Sequence, residues 1–469
     1  MKRIIIFLIC SFTFVLCWSK NNVSILTQST VDKKKGIFII NQHYDLDGKT
    51  IVFPKGLVIK FRKGKIDNGV IVGTNTKIQI DKNACVFGKN ISIQGSWSVN
   101  EIYDKWFEFD SNPNFVANSI IRNILALSGD YEFCHIFFNE NRIYYFKLQT
   151  RRAPNIGNSL SYNKEKKRHN YSELFEEKYA DHRLFTIPSN TWMTINSKFQ
   201  MLPTNQGLYF VFFECGKKNI TIDGKGRISG EVRDHLFTDP FFNKTHYYGE
   251  WGYIFKCLKC ENFVLRDIEL SDSFGDLISY GSYPVEDETV ERCSKGLLVE
   301  NVKFVRARRN GISVAAKNVI IRGCLFRNCG IDEIKGTDPR AAIDFECDYV
   351  LKFHGIGNEN VLMENCVFNN NKHDVSATNV NIPNYGKTAV TIRNCHFSSP
   401  IRLNATPQWI KFENCIIPSF TNRNGKIDMA SPIRYVEFKN CNIKSMPELM
   451  YTSKWHNKFD RCKIDNIER

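Results

Sequence analysis

Seven short stretches in the second half of the chain repeat one pattern of apolar and polar positions: FVLRDIEL, LLVENVKF, VIIRGCLF, VLMENCVF, AVTIRNCHF, WIKFENCII and YVEFKNCNI. In each, alternating residues lead to an Asn, Asp or Gly, and a small residue of buried type follows. Aligned, that small residue forms the column Ile268, Val302, Cys324, Cys366, Cys395, Cys415 and Cys441, with Cys462 as a further member. The column before it is Asp267, Asn301, Gly323, Asn365, Asn394, Asn414 and Asn440. Alternation predicts strands, and Asn, Asp and Gly predict turns. The spacing varies from 20 residues (Cys395 to Cys415) to 42 (Cys324 to Cys366), which predicts a solenoid whose rungs differ in loop length but share one core.

A second set of phrases accompanies the first. GDLISY, NGISVA, AAIDFE and HDVSAT align with Ile278, Ile312, Ile343 and Val375 as the inward residue, at spacings of 34, 31 and 32. Each rung therefore contributes at least two strands to different parallel sheets. If Ile343, Phe345 and Cys347 face the core, the period of two turns Asp344, Glu346 and Asp348 outward. Asp344 and Glu346 should then lie roughly 6.6 Å apart between Cα atoms, close to the spacing at which two carboxyl groups flank a glycosidic bond with a water between them.

Neighbouring rungs add candidates. Asp272 and Asp276 precede one strand, Arg308, Arg309 and Asn310 the next, and Asp332, Glu333, Asp338 and Arg340 lie before Asp344. Acids and arginines gathered over consecutive rungs can pair one raised carboxylic acid with one ionised base, or simply form a surface ion-pair network. Upstream, the segment from His235 to Trp251 is unusually aromatic and contains Glu250; it either walls a sugar-binding groove or pins a loop.

Organisation divides into residues 1–20, a secretory signal; 21–98, an N-terminal cap and first rungs; 99–191, irregular rungs with an inserted charged loop; and 192–469, regular rungs carrying the groove. A single amphipathic helix is predicted from Ala117 to Ser128. The C-terminal cap is expected to be brief, within KSMPELMYTSKWHNKF. The signal rests on Lys2 and Arg3 followed by the apolar run Ile4 to Trp18, too short for a membrane span. Export places the protein outside the cytoplasm, as a secreted, periplasmic or surface protein. Cys17 is a candidate lipidation site, although Leu16 replaces the small residue that usually precedes one.

The net charge of +15 favours an anionic partner, an acidic polysaccharide being one. Nucleic acid fits poorly with export. Of 16 cysteines, most of the C-terminal ones share one inward column, where thiols act as small apolar groups; a buried thiol ladder is expected, with Cys257–Cys260 and Cys324–Cys329 as the local pairs if any disulfide forms. Nucleotide-binding glycine loops, G-x-S-x-G elbows, H-E-x-x-H and paired C-x-x-C zinc spacing are all missing.

The phrases NITIDGKGRISG, NFVLRDIELSDSFGDLISY, RRNGISVAAKNVIIRGCLFRNCG and AAIDFE resemble those of the right-handed parallel β-helix (pectin-lyase-like) family, over about Trp192 to Lys463. The resemblance implies an all-β fold, a right-handed parallel β-helix with an N-terminal cap and a few short helices in loops. It implies an exported, glycan-active, monomeric protein. In polygalacturonase-like members the acids occur as N-T-D, D-D, G-H-G and R-x-K; here Asp272 and Asp276 fall in a similar region, Asn310 stands where the histidine would, and no R-x-K follows. Carboxylate acid/base hydrolysis is the leading expectation. Its catalytic candidates are Asp344, Glu346, Asp276 and Asp272, and its substrate-binding candidates Arg309, Arg308, Asn310, His235, Glu250, Trp251 and Arg340. Hydrolysis needs no cofactor. The lyases of the family imply an alternative in which Asp344, Glu346 and Asp348 hold Ca2+ and Arg309 or Arg340 is the base. A non-catalytic glycan-binding or adhesive solenoid is the third reading.

Overall fold

Asp267, Asn301, Gly323, Asn365, Asn394, Asn414 and Asn440 are a column of corners, each with φ between 52° and 63°. That left-handed backbone is tolerated by Gly, Asn and Asp and disfavoured for other residues. The side chains are stacked as well: the Asn440 amide donates to Asn414 (3.1 Å), Asn414 to Asn394 (3.1 Å) and Asn394 to Asn365 (3.3 Å). At Gly323 an added Cβ would come within 2.6 Å of Asn301 Oδ1, which accounts for glycine on that rung.

The structure, a computed structural model, describes residues 23–468 apart from 111, 113–114, 130–131, 149–181, 238–250, 282–292, 332–337, 347–357, 378–387, 404–406, 423–432 and 452–454. Three parallel sheets of 12, 7 and 9 strands run along the solenoid. One rung visits each in turn, as Glu261–Arg266, Glu269–Ser273 and Ile278–Gly281, and the next rung repeats the order as Ser294–Glu300, Lys303–Ala307 and Ile312–Val314. The fold is thus a parallel β-helix, three sheets per rung where the phrases had required at least two. A right-handed course is the one a right-twisted strand takes to its parallel neighbour.

The core follows the columns. Phe304, Phe326, Phe368 and Phe397 stack rung upon rung at 4.7, 5.2 and 4.9 Å between ring centroids. Cys324, Cys366, Cys395, Cys415 and Cys441 are buried free thiols whose Sγ atoms donate to the carbonyl two residues back at 3.3–3.4 Å. Cys257, Cys260 and Cys329 are free too, so neither local pair is bridged. On the outer face of the first sheet the position before each corner alternates in sign along Arg266, Glu300, Arg322, Glu364, Arg393, Glu413, Lys439 and Asp460. In an in-register parallel stack like charges would face one another at strand spacing, and alternation converts that repulsion into pairing.

The helix Asn118–Ser128 buries Ile120, Ile121, Ile124 and Leu125 as the apolar spacing required. Its Asn123 accepts from Ile93 N (2.9 Å) and donates to Ile91 O (2.8 Å), supplying to the strand Ile91–Ser98 bonds that a neighbouring strand would make. At the other end the helix Glu448–Tyr451 buries Met450, but the strands Lys458–Asp460 and Lys463–Glu468 follow it. The rungs therefore run on past the segment expected to cap them.

Candidate functional site

The four phrases of the second set are adjacent strands of the nine-stranded sheet. Ile278, Ile312, Ile343 and Val375 are in register and fully buried in the core. The next residue on each rung forms the outward row Ser279, Ser313, Asp344 and Ser376, with Lys256 before it and Arg402 after it. This row was not foreseen beyond Asp344, although the aligned phrases contain it. Small hydroxyl residues on both sides leave the acid room.

Outward here does not mean exposed. Asp344 is 1% and Asp276 0% exposed, whereas the strand alternation suggested an open row of acids. Alternation fixes the side of the strand; what covers that side is a tertiary matter. Asp348, the third acid of the expected row, lies outside the described residues, as do Asp332, Glu333 and Glu250.

Arg309 joins the carboxylates. One guanidinium nitrogen donates to Asp276 Oδ2 at 2.9 Å and the other to Glu346 Oε1 at 3.1 Å. Asp276 also accepts from Ser313 Oγ (2.8 Å) and from the backbone of Asn310 (3.1 Å). Asn310 is itself fully buried, its amide donating to Ser313 (2.9 Å) and accepting from Ala341 N (2.9 Å). It fastens the corner rather than presenting itself to a ligand.

Charge is unevenly held. Burial pushes the Asp344 carboxyl well above the ordinary carboxylate range, and the charge of Glu346 and a hydrogen bond to it push further, against Arg309 and Ser376. Burial also raises Glu346, but Arg309, the bond from Asp344 and Lys256 more than offset it and hold this carboxyl below its usual range. Asp276 is raised by burial, opposed by Arg309. Two carboxyls bond each other only through a proton. Asp344 therefore carries it while Glu346, 31% exposed at its side chain, stays ionised.

The remaining candidates fall elsewhere. Asp272 sits at a left-handed corner (φ 58°) of the seven-stranded sheet, bound by Arg227 (2.6 Å) and Arg233 (2.8 Å), with Arg306 at 3.5 Å. It lines a separate cavity of about 310 Å³ with Tyr145, Gln200 and Glu231. Arg308 is 1% exposed and lies over the Phe274 ring at 4.3 Å. His235, buried, stacks on the same ring at 3.7 Å and meets the Glu231 carboxylate at 3.0 Å. Arg340 donates to Gly330 O at 2.8 Å, and Trp251 packs on the Leu208, Phe210 and Tyr253 cluster. The contacts given above for these five are with groups other than Asp344, Glu346 and Asp276, which local sequence spacing does not reveal.

Of the three acids expected to hold Ca2+, Glu346 is tied to Arg309 and Asp348 lies outside the described residues. Among the described residues no group of three metal-ligating side chains converges.

No protein-family model matches the chain. It is similar to the uncharacterized protein YclG of Bacillus subtilis, 27% identical over 221 residues, covering 46% of this chain and 35% of that protein. It is also similar to the SPbeta prophage-derived uncharacterized protein YorA of Bacillus subtilis, 29% identical over 170 residues, covering 34% of this chain and 27% of that protein. The match thus spans about a third or less of each curated relative. Solved structures that resemble it include a polygalacturonase from Erwinia carotovora (TM-score 0.49, 11% identity, 79% of this chain and 95% of that one). Others are the surface adhesin PfbA of Streptococcus pneumoniae (0.35, 11%, 94% and 88%) and the tailspike gp49 of Acinetobacter baumannii bacteriophage Fri1, a capsular polysaccharide depolymerase (0.35, 14%, 95% and 64%).

Proposed function

We propose that the protein is an exported enzyme that cleaves glycosidic bonds of a polysaccharide by carboxylate acid/base hydrolysis. The arrangement that carries this reading is buried Asp344, its carboxyl pushed above the usual range by burial, two residues from Glu346, held below its usual range by Arg309, in an outward row flanked by serines. Such a group can protonate a leaving oxygen near neutral pH, where an ordinary aspartate is already ionised.

Asp344 and Glu346 lie on the same side of the chain two residues apart and shift each other's ionisation, rather than flanking a scissile bond from opposite sides. They act as one proton-donating unit, with Glu346 keeping the proton on Asp344. Asp276, beyond Arg309 and Ser313, is the carboxylate assigned to the water. Arg309 keeps both anions apart and oriented.

The uronate-lyase reading is weaker because its base would be Arg309, which is ion-paired to two carboxylates, or Arg340, whose Nε is bonded to Gly330 O. A binding module has no use for a carboxyl tuned to hold a proton. Incubation with neutral and uronate-containing glycans, with and without chelator, separates the three. New reducing ends without ultraviolet absorbance are expected. Absorbance from an unsaturated product would mean elimination, and neither signal would leave the binding module.

A further inference from the structure

The outward column that carries Asp344 continues through Ser376 to Arg402, one position per rung. These residues are 1%, 0% and 3% exposed. Asp344 Oδ1, Ser376 Oγ and Arg402 Nε are buried without a hydrogen-bond partner among the described residues. Unmet polar atoms are rare in interiors and costly. Three on one outward row, spanning two strand spacings or roughly 9.5 Å, point to a ligand that meets them.

Their chemistry limits that ligand. Arg402 Nε can only donate, whereas Asp344, whose proton faces Glu346, offers Oδ1 as an acceptor, so the ligand presents an acceptor to one and a donor to the other, as hydroxyl groups do. The cations beside this stretch are already paired, Arg309 with Asp276 and Glu346, and Arg402 with Asp338 (3.3 Å) and the Pro339 carbonyl (3.2 Å), while Lys256, bonded to Ser279 Oγ (2.9 Å), lies three strands from Asp344. A uronate carboxylate here would find no unmatched positive charge, and would approach Asp338, Glu346 and Asp276.

We infer that the Asp344–Ser376–Arg402 row is a subsite for an uncharged, hydroxyl-rich sugar of about disaccharide size, despite the basic charge of the whole chain. The inference rests on the glycan-cleaving reading above and names the substrate class of that site.

Calorimetric binding of neutral and uronate-containing oligosaccharides to the full-length protein and to Asp344→Asn, at low and high salt, tests it. Neutral oligosaccharides are expected to bind with an affinity that changes less than about twofold with salt, since no ion pair forms. Asp338→Asn, at a position whose side chain is 57% exposed, frees charge on Arg402 and should shift the uronate-to-neutral affinity ratio several-fold toward uronate. Preferential uronate binding by the unaltered protein, or binding of neither class, overturns the inference. Neutral binding without cleavage would instead sink the catalytic reading and leave the subsite standing.

Discussion

Asp344, in the strand Ala341–Phe345, and Glu346, the residue after that strand, shift each other in opposite directions, Asp344 up through burial and the charge of Glu346, Glu346 down chiefly through Arg309. Opposite shifts of two like groups mark which is acid and which is anion. That polarity depends on Arg309, which touches Glu346 directly.

Activity should follow a bell in pH. It falls on the acid side as Glu346, held low, is protonated, and on the alkaline side as Asp344, held high, is ionised. Glu346→Gln removes the charge that raises Asp344, so the alkaline limb should move to lower pH. Asp344→Asn should lower kcat about 10²–10⁴-fold. Rate profiles on a cleaved glycan check both, and an alkaline limb unmoved in Glu346→Gln would refute the coupling.

Stability has its own pH signature. Because Asp344 is raised in the folded state, its contribution is full below the unfolded value near 3.8 and is lost as pH rises through the folded value. Asp344→Asn should therefore gain stability relative to the parent as pH climbs through that window. Thermal melts of both proteins from acid to alkaline pH measure the crossing.

Arg309→Gln leaves Asp276 buried without its counter-charge, and losing one member of a buried ion pair costs about 3–5 kcal/mol. The double change with Asp276→Asn should recover much of that loss. Urea unfolding of the four-member cycle measures the coupling directly.

At the Asn394 corner, φ 53° with amide bonds on both sides, Ala adds left-handed strain of about 1–2 kcal/mol to the lost hydrogen bonds. Asn394→Gly should avoid the strain and cost clearly less. Equal destabilisation of the two in urea would mean that the backbone conformation contributes nothing.

The thiol column should be silent to reagents in the native state. Cys85 is exposed and Cys215 and Cys462 are half-buried, whereas Cys366, Cys395 and Cys415 are buried. Thiol-specific labelling mapped by mass spectrometry should modify the first group without denaturant and the second only after unfolding.

Asn394, Cys395 and Phe397 show how much of the fold was local: the corner residue, the core thiol and the inward ring occupy fixed places in a phrase of a few residues, repeated on each rung. Asp344, Glu346, Asp276, Arg309 and Asn310 were likewise legible as neighbours, because in-register parallel strands bring equivalent positions together. Asp272 was not, though it is only four residues from Asp276. A left-handed corner and the turn after it send the two to different sheets and different cations.

Period and turn chemistry in the sequence alone thus determined the solenoid, its inward columns and the strand that bears the acids, since those depend on contacts that recur at fixed spacing. Only the tertiary structure decided that the outward acid is buried, that its proton is held against Glu346, and that Arg309 and Arg402 are already paired. Desolvation and ion pairing depend on every group that closes over a site, and those groups come from rungs and loops that no single phrase contains.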